Sequence, residues 1–360
     1  MTELANPHAR VQGRAVGLDP AIRRFTAVTL TTLFAAIVLS AFLMPLVYLG
    51  ATAFKDSSQL TAPGAPLWPA TPETYLYQGE ALPVYEVPTA DGTMHWALLE
   101  PHRNDSLFID PANPDAGPIE WEGRWRTLTQ SWRFSLNLDN IANAWRILDF
   151  PRTFFNTFVI AGIGTIATLA SSACVAYGFS RFRFPGRNGM FLLLLSTIIL
   201  PFQVTLIPTY AVFSQLGWTG TWLPLIIPHF FANAYNVFLL RQYFVTIPRE
   251  LDEAAMIDGA GPFRILWSVI LPQAKAALVA VALFHFFWAW NDYFLPLIYL
   301  QGQPDLQPLS VALGRFEGLY ERETTMIQAG ALLAMILPVV VFFLAQRAFM
   351  RGVVFRGVDK

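Results

Sequence analysis

The chain has one cysteine, Cys174, among its 360 residues, and only 14% of them are charged. A lone cysteine inside an apolar run excludes a disulfide framework and a thiolate metal site, and leaves a packing role. Ordinary soluble domains carry about a quarter charged residues, so the shortage of charge excludes that class. With 54% hydrophobic residues and a mean hydropathy of +0.42, the composition is that of a membrane protein. A net charge of -1 argues against nucleic acid as a partner. Motifs that carry chemistry are missing too. There is no Gly-x-x-x-x-Gly-Lys-Ser/Thr phosphate loop, no His-Glu-x-x-His pair and no Gly-x-Ser-x-Gly elbow. His8, His95, His102, His229 and His285 are scattered over a tail, a polar insert and separate apolar segments, so no metal constellation can be read from them. The chain is expected to be no enzyme and to bind no cofactor or metal itself; any ATP that drives it is hydrolysed by another chain.

What is present is a series of long apolar segments. Residues 1–24 are polar, with Arg10, Arg14, Arg23 and Arg24, and read as a cytoplasmic tail. No charge occurs over residues 25–54, more than the roughly 20 residues that span a bilayer. Ala51-Thr52-Ala53 resembles a signal-peptide cleavage site, but the apolar run is too long for a typical h-region. Residues 55–150 differ in kind, being rich in Pro, Asp, Glu and aromatics, and read as a β-rich extracytoplasmic insert. Alternation around Val84-Tyr85-Glu86-Val87, an Asp91-Gly92 turn and Met94 to Leu99 predict a hairpin, with further strands at Ser106 to Asp110 and Ile119 to Arg126. Asn137 to Leu148 reads as a helix with Leu138, Ile141, Ala142 and Trp145 on one side.

Five further spans follow in a core over residues 151–346, at about 153–180, 189–213, 222–240, 275–300 and 327–346. The fold class is therefore an all-α polytopic membrane protein of six transmembrane helices, with the small β-rich insert between the first and second. Basic residues concentrate in short loops: Arg181, Arg183 and Arg187 in one, Arg241, Arg249, Arg264 and Lys275 in another, and Arg347, Arg351, Arg356 and Lys360 in the tail 347–360. All these loops lie on one face, which the positive-inside rule makes cytoplasmic, with both termini. The insert and the Gln301 to Met326 loop then face outward.

The longest polar interruption of the apolar second half is Ile247 to Lys275, with its centre at 247–273. Pro248 suits a first helical turn, Asp258-Gly259-Ala260-Gly261 reads as a turn, and Pro262 opens a second helix. In that second helix Phe263, Leu266, Trp267 and Ile270 fall at helical spacing and predict an apolar stripe that anchors the loop, with Arg264 and Ser268 opposite.

Polar residues inside spans are candidates for a solute pathway, because broken or polar backbone at membrane depth lines protein or water. Gln203, Asn233, Asn236, Trp288, Asn291 and Asp292 are the candidates, weighed against simple hydrogen bonding between helices. At about 1.5 Å per residue from Lys275, Asp292 sits about 26 Å up a core about 30 Å thick, near the outer interface.

Glu253-Ala254-Ala255, three residues, Gly259, nine residues, Val269, one residue and Leu271-Pro272 resemble the EAA loop of permease subunits in binding-protein-dependent ABC importers, with Val269 where the family usually has Ile. Asp258 and Ala260 match as well. Trp290-Asn291-Asp292 with Pro296-Leu297, Pro308 to Leu313, and Gln346, Phe349, Gly352, Gly357 and Lys360 are similar to the carbohydrate branch, specifically its smaller maltose-type subunit. The insert matches nothing in that pattern.

The resemblance implies the type I ABC importer fold and uptake of a sugar or oligosaccharide, maltose/maltodextrin- or trehalose-like, across a bacterial or archaeal inner membrane. It implies partners: a second permease subunit in a heterodimer, two ATP-binding cassette subunits that use ATP and Mg, and an extracytoplasmic sugar-binding protein, all around a lipid bilayer. Glu253, Ala254, Ala255, Asp258, Gly259, Ala260, Leu271 and Pro272 would couple to the ATPase, and Leu309, Ser310, Val311 and Leu313 would meet the binding protein. A glycerol-3-phosphate permease and an ion-coupled secondary transporter are the alternatives. The first would favour basic residues along the path, and the second an acid at mid-membrane; the spans have neither.

Overall fold

A computed structural model describes residues 20–90, 92–317 and 323–354. The expected tail up to residue 19, the Asp91 corner of the hairpin, and Gly357 and Lys360 lie outside the described residues. The chain divides between Leu49 and Gly50 into two compact units.

The first unit holds most of α1 (Pro20–Ala53), 34 residues long. Its stretch Arg24–Ala53 has a mean hydropathy of 2.3, ample to cross a bilayer. The hydroxyls of Thr26 and Thr31 donate to the carbonyls of Ile22 at 2.7 Å and Ala27 at 2.8 Å, so neither is left bare in an apolar medium.

The second unit opens with α2 (Ser57–Thr61), capped by Asp56, and then the insert. Its strands are β1 (Ala70–Pro72), β2 (Thr74–Tyr77), β3 (Glu80–Thr89), β4 (Gly92–Glu100), β5 (Asp105–Ile109), β6 (Ile119–Glu122), β7 (Thr129–Gln130) and β8 (Trp132–Phe134). Five of them form an antiparallel path β2-β3-β4-β5-β6, with β7 on β3, while β1 pairs with β8. The expected hairpin is β3–β4, with Val84 opposite Ala97. Period-2 alternation splits its side chains between two small cores: Leu82, Val84 and Ala97 on one face, Val87, Leu98 and Phe108 on the other. The last expected strand stops at Glu122 instead of Arg126; Trp125–Thr127 is a 3-10 turn whose Trp125 ring meets Tyr85 edge-on at 6.0 Å.

The helix expected at Asn137 to Leu148 is α3 (Asp139–Ile147), but its buried face is not the anticipated one. Asn140, Ala144 and Leu148 are buried, whereas Leu138 is 63% and Trp145 46% exposed. The reason is polar: the Asn140 amide donates to the carbonyls of Ala53 at 3.0 Å and Lys55 at 2.7 Å, which the end of α1 leaves without helical partners.

The helical core runs α4 (Phe150–Arg181), α5 (Arg187–Ser196), α6 (Phe202–Gln215), α7 (Leu223–Ile226), α8 (Ala234–Val245), α9 (Glu250–Ile257), α10 (Pro262–Ile265), α11 (Leu271–Gln273), α12 (Lys275–Trp290), α13 (Phe294–Tyr299), α14 (Leu309–Ala312) and α15 (Thr324–Val354). Four stretches among the described residues are long and apolar enough to cross a membrane, and the number reaches six only when each of two bent pairs is counted as one span. The expected third span breaks by 97° between α5 and α6. Pro201 forces Leu200 into extended backbone (ψ 116°), which ends the helix there. The expected fifth is interrupted at Asn291, leaving α12 with 16 residues.

Small residues of α4 let its neighbours approach closely. Ala173, Ala176 and Tyr177 pack with Val237, Leu240 and Phe244 of α8 and with Ile265 and Ile270. Phe150, at the start of α4, joins a second cluster with Leu148, Leu309, Ala312, Phe316 and Ala329. Cys174 is exposed on the surface of α4, so the packing role expected for it is not what this residue does within the chain; its neighbours Ala173 and Ala176 take the inward face.

Candidate functional site

Two regions collect the residues singled out from the sequence. The first is the loop from Ile247 to Lys275. Helix α9 carries Glu250, Asp252 and Glu253 in its first turn, where carboxylates oppose the positive end of the helix. It closes on Asp258 as the C-cap residue and Gly259 at φ +79°. The N–H of Gly259 donates to Met256 O at 3.0 Å and that of Ala260 to Ala255 O at 2.9 Å, the paired bonds of a Schellman cap. A Cβ on Gly259 would meet nothing within 4 Å, so the backbone angle alone calls for glycine. Pro248 stands just ahead of α9 and not within its first turn.

The anchoring stripe differs from the expected one. Phe263 is 82% and Trp267 76% exposed, while Ile265, Leu266 and Ile270 are buried. Residues Leu266–Ile270 form a π-helical turn, whose wider winding turns positions spaced for an α-helix out of line. Ala255, Ala260, Val269 and Leu271 also pack against the core cluster from this side. Glu253, Ala254, Asp258, Gly259 and Pro272 remain exposed, as do Met256 and Ile257. The loop thus presents small, acidic and apolar side chains outward from a fixed base.

The base is also ionic. Arg181, the last residue of α4, lies 2.7 Å from the Asp252 carboxylate with the two side chains only 6% and 7% exposed, and its guanidinium donates to Ile247 O at 3.0 Å. Burial pushes the Asp252 carboxyl above its ordinary value, against the pull of Arg181 and Arg249. Nothing in the local sequence pairs these residues. The available signal was an arginine closing the uncharged run of residues 153–180, and a carboxylate next to Glu253.

The second region is a cavity of about 680 Å³ between α4, α6, α8 and α12. Four of the six pathway candidates, Asn233, Asn236, Trp288 and Asp292, line it, whereas Gln203 and Asn291 do not. Several of its polar groups have local duties. Asn233 caps α8 by accepting from Tyr235 and Asn236 N–H groups, and Asp292 accepts from Leu295 N–H at the start of α13; Asn291, outside the cavity, turns its amide back to Phe287 O.

The histidines that the sequence scatters over separate spans meet here. The rings of His229 and His285 stand edge to face at 4.7 Å, and Trp288 lies 5.7 Å from His285. His285 Nε2 is 3.3 Å from Thr168 Oγ1, and Gly164 makes room for His229, since a Cβ there would sit 3.1 Å from its ring. Among the described residues no group of three metal-binding side chains occurs. Among the described residues, Asp292 is the sole carboxylate in the cavity wall, and no Lys or Arg lines it. The wall is one of hydroxyls, amides, imidazoles and aromatic faces, which suits an uncharged, hydrogen-bonding solute.

The loop expected to touch a binding protein is turned partly inward. Leu309 is 1% and Val311 6% exposed, Leu313 packs on the same cluster, and the Ser310 hydroxyl donates to Asp292 O at 2.7 Å. Leu309 N–H donates to Thr157 Oγ1 at 2.8 Å, which holds α14 against α4. Among the described residues of this segment, Gln301 to Asp305 are exposed, as are Arg315, Glu317 and Glu323.

A family model described as the inner membrane component of binding-protein-dependent transport systems matches residues 150–356. Similar proteins include the osmoprotective compounds uptake permease protein GgtD of Synechocystis sp., 34% identical over 69% of this chain and 83% of that protein. The sn-glycerol-3-phosphate transport system permease protein UgpE of Agrobacterium fabrum is 37% identical over 58% of this chain and 73% of its own length. The lactose transport system permease protein LacG of Rhizobium radiobacter is 32% identical over 59% and 78%. In fold, the chain is similar to a bacterial ABC transporter involved in the import of the acidic polysaccharide alginate, with a TM-score of 0.50 and 16% identity over 60% of this chain and 84% of that one.

Proposed function

We propose that this chain, which belongs to the family of inner membrane components of binding-protein-dependent transport systems, is the multi-pass permease subunit through which an ABC importer takes up a neutral sugar. The observation that carries this reading is the loop of Glu253, Ala254 and Gly259, exposed on a base held by Ile265, Ile270 and the Arg181–Asp252 pair. A rigid, small-residue projection of this kind suits a cleft in an ATP-hydrolysing partner. Ala254 permits close approach, Ala255 packs beneath it on the loop's own base, and Glu253 offers a charge to a basic residue across the interface.

On this reading two ATP-binding cassette subunits sit against the loop and use ATP and Mg. A second permease subunit completes the pathway, and an extracytoplasmic binding protein delivers the solute. Both termini and the loop are then cytoplasmic, and the β-rich insert is extracytoplasmic. The cavity beside Trp288 and the two histidines serves as this subunit's part of the path. A maltose- or trehalose-like solute fits a wall without cations. Glycerol 3-phosphate, the solute in the name of UgpE, is the second reading; it would call for positive charge facing the path.

The test is reconstitution of the full complex in liposomes with uptake of labelled maltose, trehalose, lactose and glycerol 3-phosphate, each with its binding protein. Uptake of a neutral sugar that is lost in Glu253→Lys, with normal membrane insertion, supports the assignment. Undiminished coupling in that variant refutes the role of the loop, and uptake of glycerol 3-phosphate alone refutes the neutral-sugar class.

A further inference from the structure

Of the three described helices longer than 30 residues, α1 and α15 carry prolines inside, Pro45 and Pro338. Helix α4, with 32 residues, has its only proline in the first turn, where it does no damage. It is an unbroken rod of about 48 Å at about 1.5 Å per residue. Polar side chains fasten that rod at three levels. Near its start the buried Asn156 amide donates to the carbonyls of Asp305 at 2.9 Å and Gln307 at 3.0 Å, beside the Thr157 bond to Leu309. At mid-length Thr168 meets His285, and the Ser171 hydroxyl donates to His229 O at 3.1 Å. At its end Arg181 holds Asp252 and Ile247, while Arg249 reaches Ser180 O at 3.5 Å.

Apolar contacts between helices are non-directional and allow sliding, whereas short hydrogen bonds and a buried ion pair hold one register. We infer that α4 transmits displacement of the Glu253 loop to the Asp305–Leu309 segment past the cavity, with Arg181 and Asn156 as positioning residues at its two ends. Neither lines the cavity. Each ties a loop to the rod, so the two ends act in series. This inference rests on the importer reading for its biological meaning, but the mechanical link is a property of this chain alone.

Two measurements separate those levels. In a Cys174→Ser background, spin labels at Ile257 and Gln303, both exposed, report the distance between the two loops in the purified chain. Arg181→Met with Asp252→Leu removes the inner clamp without stranding a buried charge, and Asn156→Leu removes the outer one. Either change should broaden the distance distribution; an unchanged distribution in both overturns the inference. In the reconstituted complex each variant should lose about fivefold or more of the stimulation by binding protein, the lower end of ordinary coupling between sites. Links in series also require that the combined variant be no worse than either alone, and multiplied losses would overturn the proposal. A chain that shows the distance effect but no stimulation even in the wild type would refute the importer reading and leave the link standing.

Discussion

The N–H of Ala260 donates to the carbonyl of Ala255 at 2.9 Å, closing the end of α9 over Gly259 at φ +79°. Since the site is open, Gly259→Ala should cost only about 1–2 kcal/mol, the penalty of a left-handed residue with a side chain. Gly259→Pro removes the N–H that donates to Met256 and cannot take a positive φ. It is expected to insert normally and to abolish stimulated ATP hydrolysis, measured in the reconstituted complex beside the alanine variant.

Phe263 and Trp267 project from the loop while Ile265 between them is buried. Replacing either projecting residue by Ser should change the melting stability of the purified chain by no more than about 0.5 kcal/mol, yet reduce recovery of the ATPase subunits in co-purification. Ile265→Ala should do the opposite first, costing about 2–5 kcal/mol as a core truncation. Fluorescence-detected melting in detergent distinguishes them.

Asn140 holds two carbonyls, those of Ala53 and Lys55, where α1 gives way to the insert. Asn140→Leu leaves both without their donor and should cost about 1–3 kcal/mol. A lowered melting temperature with unchanged spans is the expected outcome; an equal or higher one would show that the bonds contribute nothing.

Asp252 gives a pH dependence with a definite sign. Burial raises its carboxyl above the ordinary value in the folded chain, so the folded state holds the proton more tightly than the unfolded one. The associated stability is fully present below the unfolded value and is lost as pH rises through the folded value. Relative to Asp252→Asn, the wild type should therefore lose melting stability on going from about pH 4, the ordinary carboxylate value, toward neutrality. A parallel pair of pH profiles would contradict this.

Much of the molecule was legible along the chain. Uncharged runs located the apolar helices, alternation located β3 and β4, and Asp258-Gly259 located the turn of the loop, because each signal is carried by neighbours within a few residues. The errors share a cause. The stripe of Phe263 and Trp267 presumed an α-helical winding that the π turn at Leu266–Ile270 does not have. The inward face of α3 follows Asn140 because carbonyls distant in the chain need its amide. Leu309, in the loop read as outward, is drawn inside by a cluster that holds Phe150 and Ala329, and Val311 is buried beside it.

What the sequence alone determined is therefore the membrane class, the existence of the insert and the shape of the loop around Gly259, since hydropathy, periodicity and turn chemistry act locally. Tertiary structure alone decided that His229 meets His285, that Gln203 and Asn291 stand outside the cavity, and that Arg181 holds Asp252. Those relationships join segments far apart in the chain, and only the packing of the helices against one another brings the rings and the ion pair into contact.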